Sequence, residues 1–428
     1  MNDQHVKQLV QEVEARQEEL LSLLKNLISF PTVSPPARNT NEVQNFVKEY
    51  LKNLGFQTDQ WEVYPGDSNV VGTLKGTASD NYQSLIINGH IDVAEVGDEK
   101  EWETPPFQAV IREQNIYGRG TADMKGGIAS TLYAIKLLKD MGFSLRGDLQ
   151  FQSVIGEEAG EAGTLACVER GYQADFAVVV DTSDLHIQGQ GGVITGWITI
   201  EGQKTFHDGL RRQLIHAGGG IHGASAIEKM MKVTAGLQEL ERHWAVTKSY
   251  PGFPPGTNTI NPAVIEGGRH AAFIADRCAL WITVHFYPNE DYEQVIQEIE
   301  RHIAAVAAAD PWLRDNPPTF IWGGKSMIVD RGEIFPSLEI QADHPGTRAL
   351  AHSFEWAISQ KPAIGMSTTV TDAGWLGRAD IPTVIFGPGK LEDAHAVNEK
   401  VEIKQLLDFA KTMAVFIAEW CNTRKEGK

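Results

Sequence analysis

A change of rhythm in the middle of the chain constrains the fold more than any single motif. Up to about Gly191, apolar strand runs at 69–74, 84–87, 148–154 and 176–180 alternate with helical stretches at 6–28, 42–54 and 126–141. The alternation resumes from about Lys325, with helices predicted over 346–359 and 403–420 and a strand over 382–386. Strands interleaved with helices argue an α/β domain around a largely parallel sheet. Between these stretches the order is β-α-β-β-α-β, with strands at 193–200, 257–265, 276–286 and 319–322 and helices at 223–245 and 290–308. That is the split βαβ order of a small two-layer α+β module. The expected architecture is one α/β domain built from 1–191 and 325–428, interrupted by an inserted module at 192–324. A chain of 428 residues is long enough for both cores.

Composition removes several function classes. Asp and Glu number 56 against 38 Lys and Arg, a formal charge of −18 with no basic run. Such a chain is poorly suited to gripping nucleic acid or an anionic membrane. No stretch approaches the ~20 apolar residues of a membrane span, and the polar start lacks the basic and apolar regions of a signal peptide. The three cysteines, Cys167, Cys278 and Cys421, form no CxxC pair. A disulfide framework and a thiolate zinc site are therefore not expected, and a reducing cytoplasm fits.

Five polar clusters punctuate the α/β stretches. His90 and Asp92 follow the apolar run Leu85-Ile86-Ile87. His90 thus projects from the carboxyl end of a strand, where open α/β sheets bind ligands, and Asp92 can orient an imidazole. Asp123 lies in the glycine-rich run from Gly118 to Gly127, just before a helix. Glu157 and Glu158 end the strand run 149–155, Asp181 closes Val178-Val179-Val180, and His395 stands in Ala394-His395-Ala396-Val397-Asn398-Glu399. Singly, each has a plainer explanation: a structural histidine, an N-cap aspartate, a solvated acidic loop or a turn aspartate. Together they form an oxygen and imidazole donor set that suits zinc, cobalt or manganese. A two-metal site needs a bridging carboxylate, terminal ligands for each ion and a free base, and these clusters supply that set.

The ordered motifs Gly89-His90-Ile91-Asp92, Tyr117-Gly118-Arg119-Gly120 through Asp123-Met124-Lys125-Gly126-Gly127, Gly156-Glu157-Glu158 and Ala394-His395 resemble those of the M20 family of metal-dependent aminoacylases and peptidases. The resemblance spans essentially the whole chain. It implies a metal-binding catalytic α/β domain with an inserted lid or dimerisation domain, two divalent ions (zinc or cobalt) and a homodimer. It also implies roles. His90 and Asp181 would hold one ion, Glu158 and His395 the other, and Asp123 both. Glu157 would be the general base and Asp92 would orient His90. A lid histidine of this family assists the oxyanion, often across a subunit boundary. His207, His216 and His222 are the candidates here, and the place of His207 after the first lid strand favours it. Asn261 matches a lid position that meets substrate.

The substrate implied is a small N-acylated compound. Relatives commonly carry Arg at the end of the lid strand Trp281-Ile282-Thr283-Val284, where this chain has His285. That weakens its claim on amino-acid carboxylates, unless Arg331 or Arg378 substitutes. The pattern resembles the acetylornithine-deacetylase-like bacterial branch. Within it, the specific expectation is a deformylase releasing an aminomethylpyrimidine from its N-formyl derivative, a reaction of thiamine salvage. Deacetylation of N-acetylornithine or a similar compound comes second and a dipeptidase third. A metal-free binding protein on the same fold is disfavoured because every expected ligand and the base are present.

Overall fold

The structure, a computed structural model, describes residues 2–425. It divides into two compact units, one running to Gln190 and resuming at Leu338, the other spanning Gly191–Ser337. The first stretch of the larger unit holds α1 (Asp3–Ala15), α2 (Gln17–Ile28), α3 (Asn41–Leu54), β1 (Gln57–Tyr64), β2 (Asp67–Leu74), β3 (Leu85–His90), α4 (Lys125–Asp140), β4 (Leu149–Val154), α5 (Gly163–Glu169), β5 (Phe176–Val179) and β6 (Ile187–Gln190). The insert holds β7 (Gly192–Glu201), α6 (Ala226–Thr247), β8 (Thr259–Gly267), β9 (Arg277–Phe286), α7 (Tyr292–Ala308) and β10 (Thr319–Trp322). The return stretch adds α8 (Pro345–Ile358), β11 (Ile364–Ser367), α9 (Ala373–Arg378), β12 (Thr383–Ile385) and α10 (Ile403–Trp420).

In the larger unit the strands form an eight-stranded sheet in the order β1-β2-β4-β3-β5-β12-β6-β11. Its centre, β4 through β12, is parallel. The margins are mixed, with β1 and β4 antiparallel to β2 and β6 antiparallel to β12. β11 pairs parallel with β6 at the far edge, so the sheet is largely parallel, as expected, with antiparallel pairings at β1–β2, β2–β4 and β12–β6. The physical reason at one margin is the Pro65-Gly66 turn, with Gly66 at φ +91°, which folds β2 directly back on β1. Central strands are buried on both faces. Ile87 and Val178 enter the large core with α4 and α10, whereas Ile86, Ala177 and Val179 enter a smaller core with Ala373 and Leu376 of α9. Each buried aliphatic side chain contributes about 1.5–3 kcal/mol, so a strand apolar on both faces is held at the middle of the sheet. The single helix expected over 6–28 is two, jointed at Arg16, whose guanidinium pairs with Glu19 and Asp140.

In the insert the strands run antiparallel in the order β8-β9-β7-β10. The helices α6 and α7 cover one face through Met230, Val233, Leu237, Ile299 and Ile303 against Ile194, Ile198, Ile282 and Val284. The insert keeps residues beyond the expected boundary at 324, because Ile334-Phe335 pairs with β7 and Gly323 donates to the Thr195 carbonyl at 2.8 Å. After a loop, those residues return to β7 and pair with it beyond the register of β10, and the α/β unit resumes only at Leu338.

Candidate metal centre

The centre stands at the carboxyl ends of the parallel strands. His90 is the last residue of β3 and is 2% exposed. Its Nδ1 lies 3.1 Å from the Asp92 carbonyl oxygen, which turns Nε2 toward Asp123 Oδ1 at 3.2 Å. The same Nε2 is 3.9 Å from Glu157 Oε2 and 3.9 Å from Asp181 Oδ2. On the other side, His395 Nε2 is 2.9 Å from Glu158 Oε2 and 3.2 Å from Asp123 Oδ2. Asp123 therefore offers one oxygen to each histidine, the arrangement of a carboxylate shared between two centres. Ligand atoms of His90, Asp123 and Glu158 all lie within 4.8 Å of one another.

Local backbone chemistry puts these groups there. Gly127 in the first turn of α4 lies against the residue that follows β5, since a Cβ would sit 2.0 Å from the Val180 carbonyl oxygen. This contact seats the Asp123 turn beside Asp181. Gly156, at φ +81°, turns the chain out of β4 into the acidic loop. The Asp92 carboxylate then holds that loop, accepting from Gly156 N at 2.8 Å and Glu158 N at 3.1 Å. Asp92 thus meets His90 most closely through its main chain, while its side chain, 3.7 Å from the ring, secures the glutamates. Glu161 closes the loop in a two-pronged pair with Arg38, both contacts at 2.7 Å.

The electrostatics of the cluster ask for cations. Burial opposes protonation of His90, but hydrogen bonding to Asp123 and the surrounding carboxylates hold its pKa well above the ordinary value. Hydrogen bonds to Asp123 and Glu158 raise His395 to about 11. Burial and neighbouring negative charge push Glu158 to about 7, Asp181 to about 8 and Glu157 well above the usual carboxylate range. Burial opposes ionisation of Asp123, but its two histidines pull its pKa well below the ordinary value. More carboxylates converge here than two imidazolium rings neutralise. Oxygen and imidazole donors arranged about a shared carboxylate fit hard or borderline divalent ions.

Comparison with known proteins settles the family. The model of peptidase family M20/M25/M40 matches residues 86–419. The chain belongs to the M20 family. A relative in Bacillus subtilis strain 168, N-formyl-4-amino-5-aminomethyl-2-methylpyrimidine deformylase, is 60% identical over 99% of this chain and 100% of its own length. The protein of the same name in Halalkalibacterium halodurans is 59% identical over 98% of each chain. Among solved structures, a dinuclear metal-binding M20 peptidase of Bacillus subtilis shares the fold at a TM-score of 0.64 and 17% identity, covering 96% of this chain and 99% of that one. Membership of the M20 family, its α/β class and divalent-metal chemistry thus accord with the sequence reading.

The remaining sequence candidates lie in the insert. His207 ends a two-residue strand paired with Phe273-Ile274, and its side chain is 67% exposed. Its Nδ1 accepts from Gly209 N at 3.0 Å. His216 is instead drawn inward, with Nε2 2.6 Å from Glu228 Oε2. His222 is exposed. Asn261 pairs with Thr283 and His285 with Thr259, so both sit on the sheet face opposite the helices, and both are exposed. The same face carries Trp197 and Trp281, edge to face at 5.2 Å. Arg331 lies over Trp197 at 4.5 Å.

Sequence reasoning left other residues near the ligands without a role. Arg119 and Glu399 form a buried ion pair behind Asp123 and His395. Asp372 is buried, accepts from Thr164 Oγ1 at 2.8 Å and leaves Oδ1 without a partner. Burial raises its pKa to about 7, and His90 and Asp92 act on it electrostatically. Only an acidic residue at the amino end of a short helix marks Asp372 in the sequence, which is the pattern of an ordinary N-cap.

Proposed function

We propose that this enzyme hydrolyses the formamide of N-formyl-4-amino-5-aminomethyl-2-methylpyrimidine, releasing formate and the free aminomethylpyrimidine. The observation that carries the reading is 60% identity to a deformylase of that name across 99% of the chain. Water adds to the formyl carbon, the C–N bond breaks, and the nitrogen leaves as an amine after taking a proton. His90 and Asp181 would hold one divalent ion, His395 and Glu158 a second, and Asp123 both. Zinc or cobalt is the assigned metal. Bound there, such ions supply positive charge for the carbonyl oxygen and make water easier to deprotonate.

The chain's own groups supply the rest. Glu157, 3.9 Å from His90 and held well above the usual carboxylate range chiefly by burial, is the residue assigned, as the Gly156-Glu157-Glu158 resemblance implies, to accept the proton of the attacking water and deliver it to the leaving nitrogen. The exposure of His207, set against the Glu228 partnership of His216, supports His207 as the lid group that assists the oxyanion. Asn261 and His285 share a helix-free face with two tryptophans, which supports a substrate-facing role for that face. A homodimer is supported by β8, an edge strand exposed from Asn261 onward and carrying Val264 and Ile265 at its surface. A cytoplasmic location suits three free, buried thiols. No helix among the described residues is long and apolar enough to cross a membrane.

The test is turnover of purified protein loaded with cobalt or zinc on the N-formyl pyrimidine, N-acetylornithine and a dipeptide, following amine release. The formyl compound is expected to give the highest kcat/KM, and chelation to abolish it. Faster hydrolysis of N-acetylornithine overturns the substrate assignment. Full activity in metal-free protein overturns the two-ion reading.

A further inference from the structure

His395 is the weakly mounted ligand of the centre. Its side chain is 58% exposed, and its backbone stands at φ +59°, a left-handed conformation that its surroundings must hold for a residue with a Cβ. His90, by contrast, is the end of a buried central strand. What reaches the His395 main chain is Arg119. Its Nη2 donates to the His395 carbonyl at 3.0 Å and to the Glu95 carbonyl at 2.7 Å, while Nη1 donates to Glu399 Oε2 at 2.7 Å. Glu399 also accepts from Gly120 N at 3.0 Å, Ala122 N at 2.7 Å and Asp123 N at 3.1 Å. Both side chains are buried, at 1% and 0% exposure, with the Trp102 ring 5.3 Å from the guanidinium carbon. One ion pair therefore grips the main chains of Asp123 and His395 at once.

We propose that Arg119, seated on Glu399, is the positioning residue for the His395 half of the centre, locking the His395 loop to the Asp123 turn and so setting the affinity of the cation held by His395 and Glu158. The proposal rests on the two-cation reading above. A planar guanidinium is required because its acceptors lie in different directions from one head group. A lysine keeps the charge opposite Glu399 but cannot reproduce the fork. His90 has its own mount in β3 and the Asp92 carbonyl, and Glu399 still accepts from Asp123 N when Arg119 is replaced, so the His90 cation depends on Arg119 far less than the His395 cation does.

The experiment titrates metal-free wild type, R119K, H395A and the double variant with cobalt(II) alone, reading bound metal per chain by elemental analysis and the visible absorption of bound cobalt. Wild type is expected to fill two sites. R119K should fill the tighter site normally and the second about 10–100-fold more weakly, the usual cost of losing a group that orients a ligand. Added to H395A, R119K should change the residual weak binding by no more than about twofold, because it acts through His395. D310N, which removes the counter-charge of buried Lys229 in the insert, controls for lost stability. It should lower the melting temperature and leave both affinities unchanged. Wild-type affinities in R119K overturn the proposal, as does an equal loss at both sites or a further loss in the H395A background. If R119K does not fold, E399Q, which cannot offer acceptors to Arg119, Gly120, Ala122 and Asp123 together, takes its place: it should weaken both sites, the His395 site more, and wild-type affinities in it overturn the proposal. Fewer than two cobalt ions on wild type would instead sink the two-cation reading while leaving the hydrogen-bond geometry intact.

Discussion

Glu157 and Glu158 are neighbours in sequence and should fail in different ways when each becomes glutamine. Glu158 has both oxygens engaged. Oε1 accepts from Ala94 N at 3.0 Å, and Oε2 lies 2.9 Å from His395 Nε2. An amide has one acceptor oxygen, so Glu158→Gln must either leave the Ala94 N–H facing an NH2 group or turn that group toward the ligand position. Losing a hydrogen bond to a charged group costs about 1.5–3 kcal/mol, which corresponds to roughly 10–150-fold in the affinity of one metal. Glu157 lies 3.9 Å from His90, as Asp181 does, and is the group proposed to act as base and not as ligand. Glu157→Gln keeps size and polarity, removes basicity and should cut kcat by about 10²–10⁴-fold with metal content near normal. Metal analysis and steady-state kinetics on the same preparations separate the two. If Glu157→Gln loses metal and Glu158→Gln merely slows turnover, the roles are exchanged. If neither substitution changes the rate, the acidic loop takes no part in catalysis.

Cation binding should release protons, because His90 and His395 are held protonated above their ordinary pKa and Asp181 and Glu158 are raised to about 8 and about 7. Ligation needs all four deprotonated, so affinity should rise with pH across neutrality, measurable as buffer-dependent heats of cobalt binding; affinity independent of pH from 6 to 8 would contradict this. In the insert, Ile265→Asp on the exposed edge strand β8 should shift a sedimenting dimer to monomer without changing the melting temperature of the fold, and a monomeric wild type at assay concentration would remove the dimer reading. His344 caps α8, its Nδ1 accepting from Gly346 N at 3.1 Å, and burial followed by the charge of Arg348 lowers its pKa. The unfolded chain therefore takes up the proton more readily, so this contribution, about 1 kcal/mol for a cap, is present above the ordinary pKa and lost as pH falls below it. His344→Gln should flatten the melting-temperature slope between about pH 6.5 and 5.

The fold was legible wherever burial is strong enough to leave an apolar signature. Strands β3 and β5 read as continuous apolar runs because helices cover both of their faces. The two-layer insert was visible for a related reason, since β7 and β9 send alternate residues into one core. Strand β1 escaped notice because it lies at the margin and no residue in it is fully buried, so Thr58, Asp59 and Gln60 leave no apolar alternation to detect. The return boundary was misplaced for a different reason. The pairing of Ile334-Phe335 with β7 is a long-range contact, and two residues carry no periodicity.

The proposed ligands stand out in the sequence because few side chains can do such chemistry, and because His90, Glu158 and Asp181 end or closely follow strands fixed by the sheet. Their mount is not constrained in that way. A histidine at φ +59° can be held by any donor that reaches its carbonyl, so nothing in Arg119 itself announces the task. Its partner Glu399 lies 280 residues away, and the Thr164–Asp372 contact spans 208. Glu399 also reads locally as one more acid past a ligand, since its work is done on the main-chain N–H groups of Gly120, Ala122 and Asp123, which exist whatever the sequence there. Asp92 shows the same limit within a recognised motif, where its backbone carbonyl serves His90 and its carboxylate serves the acidic loop. Removing the Asp92 carboxylate should therefore disturb Glu157 and Glu158 before it disturbs His90, a division of labour that depends on geometry and not on residue type.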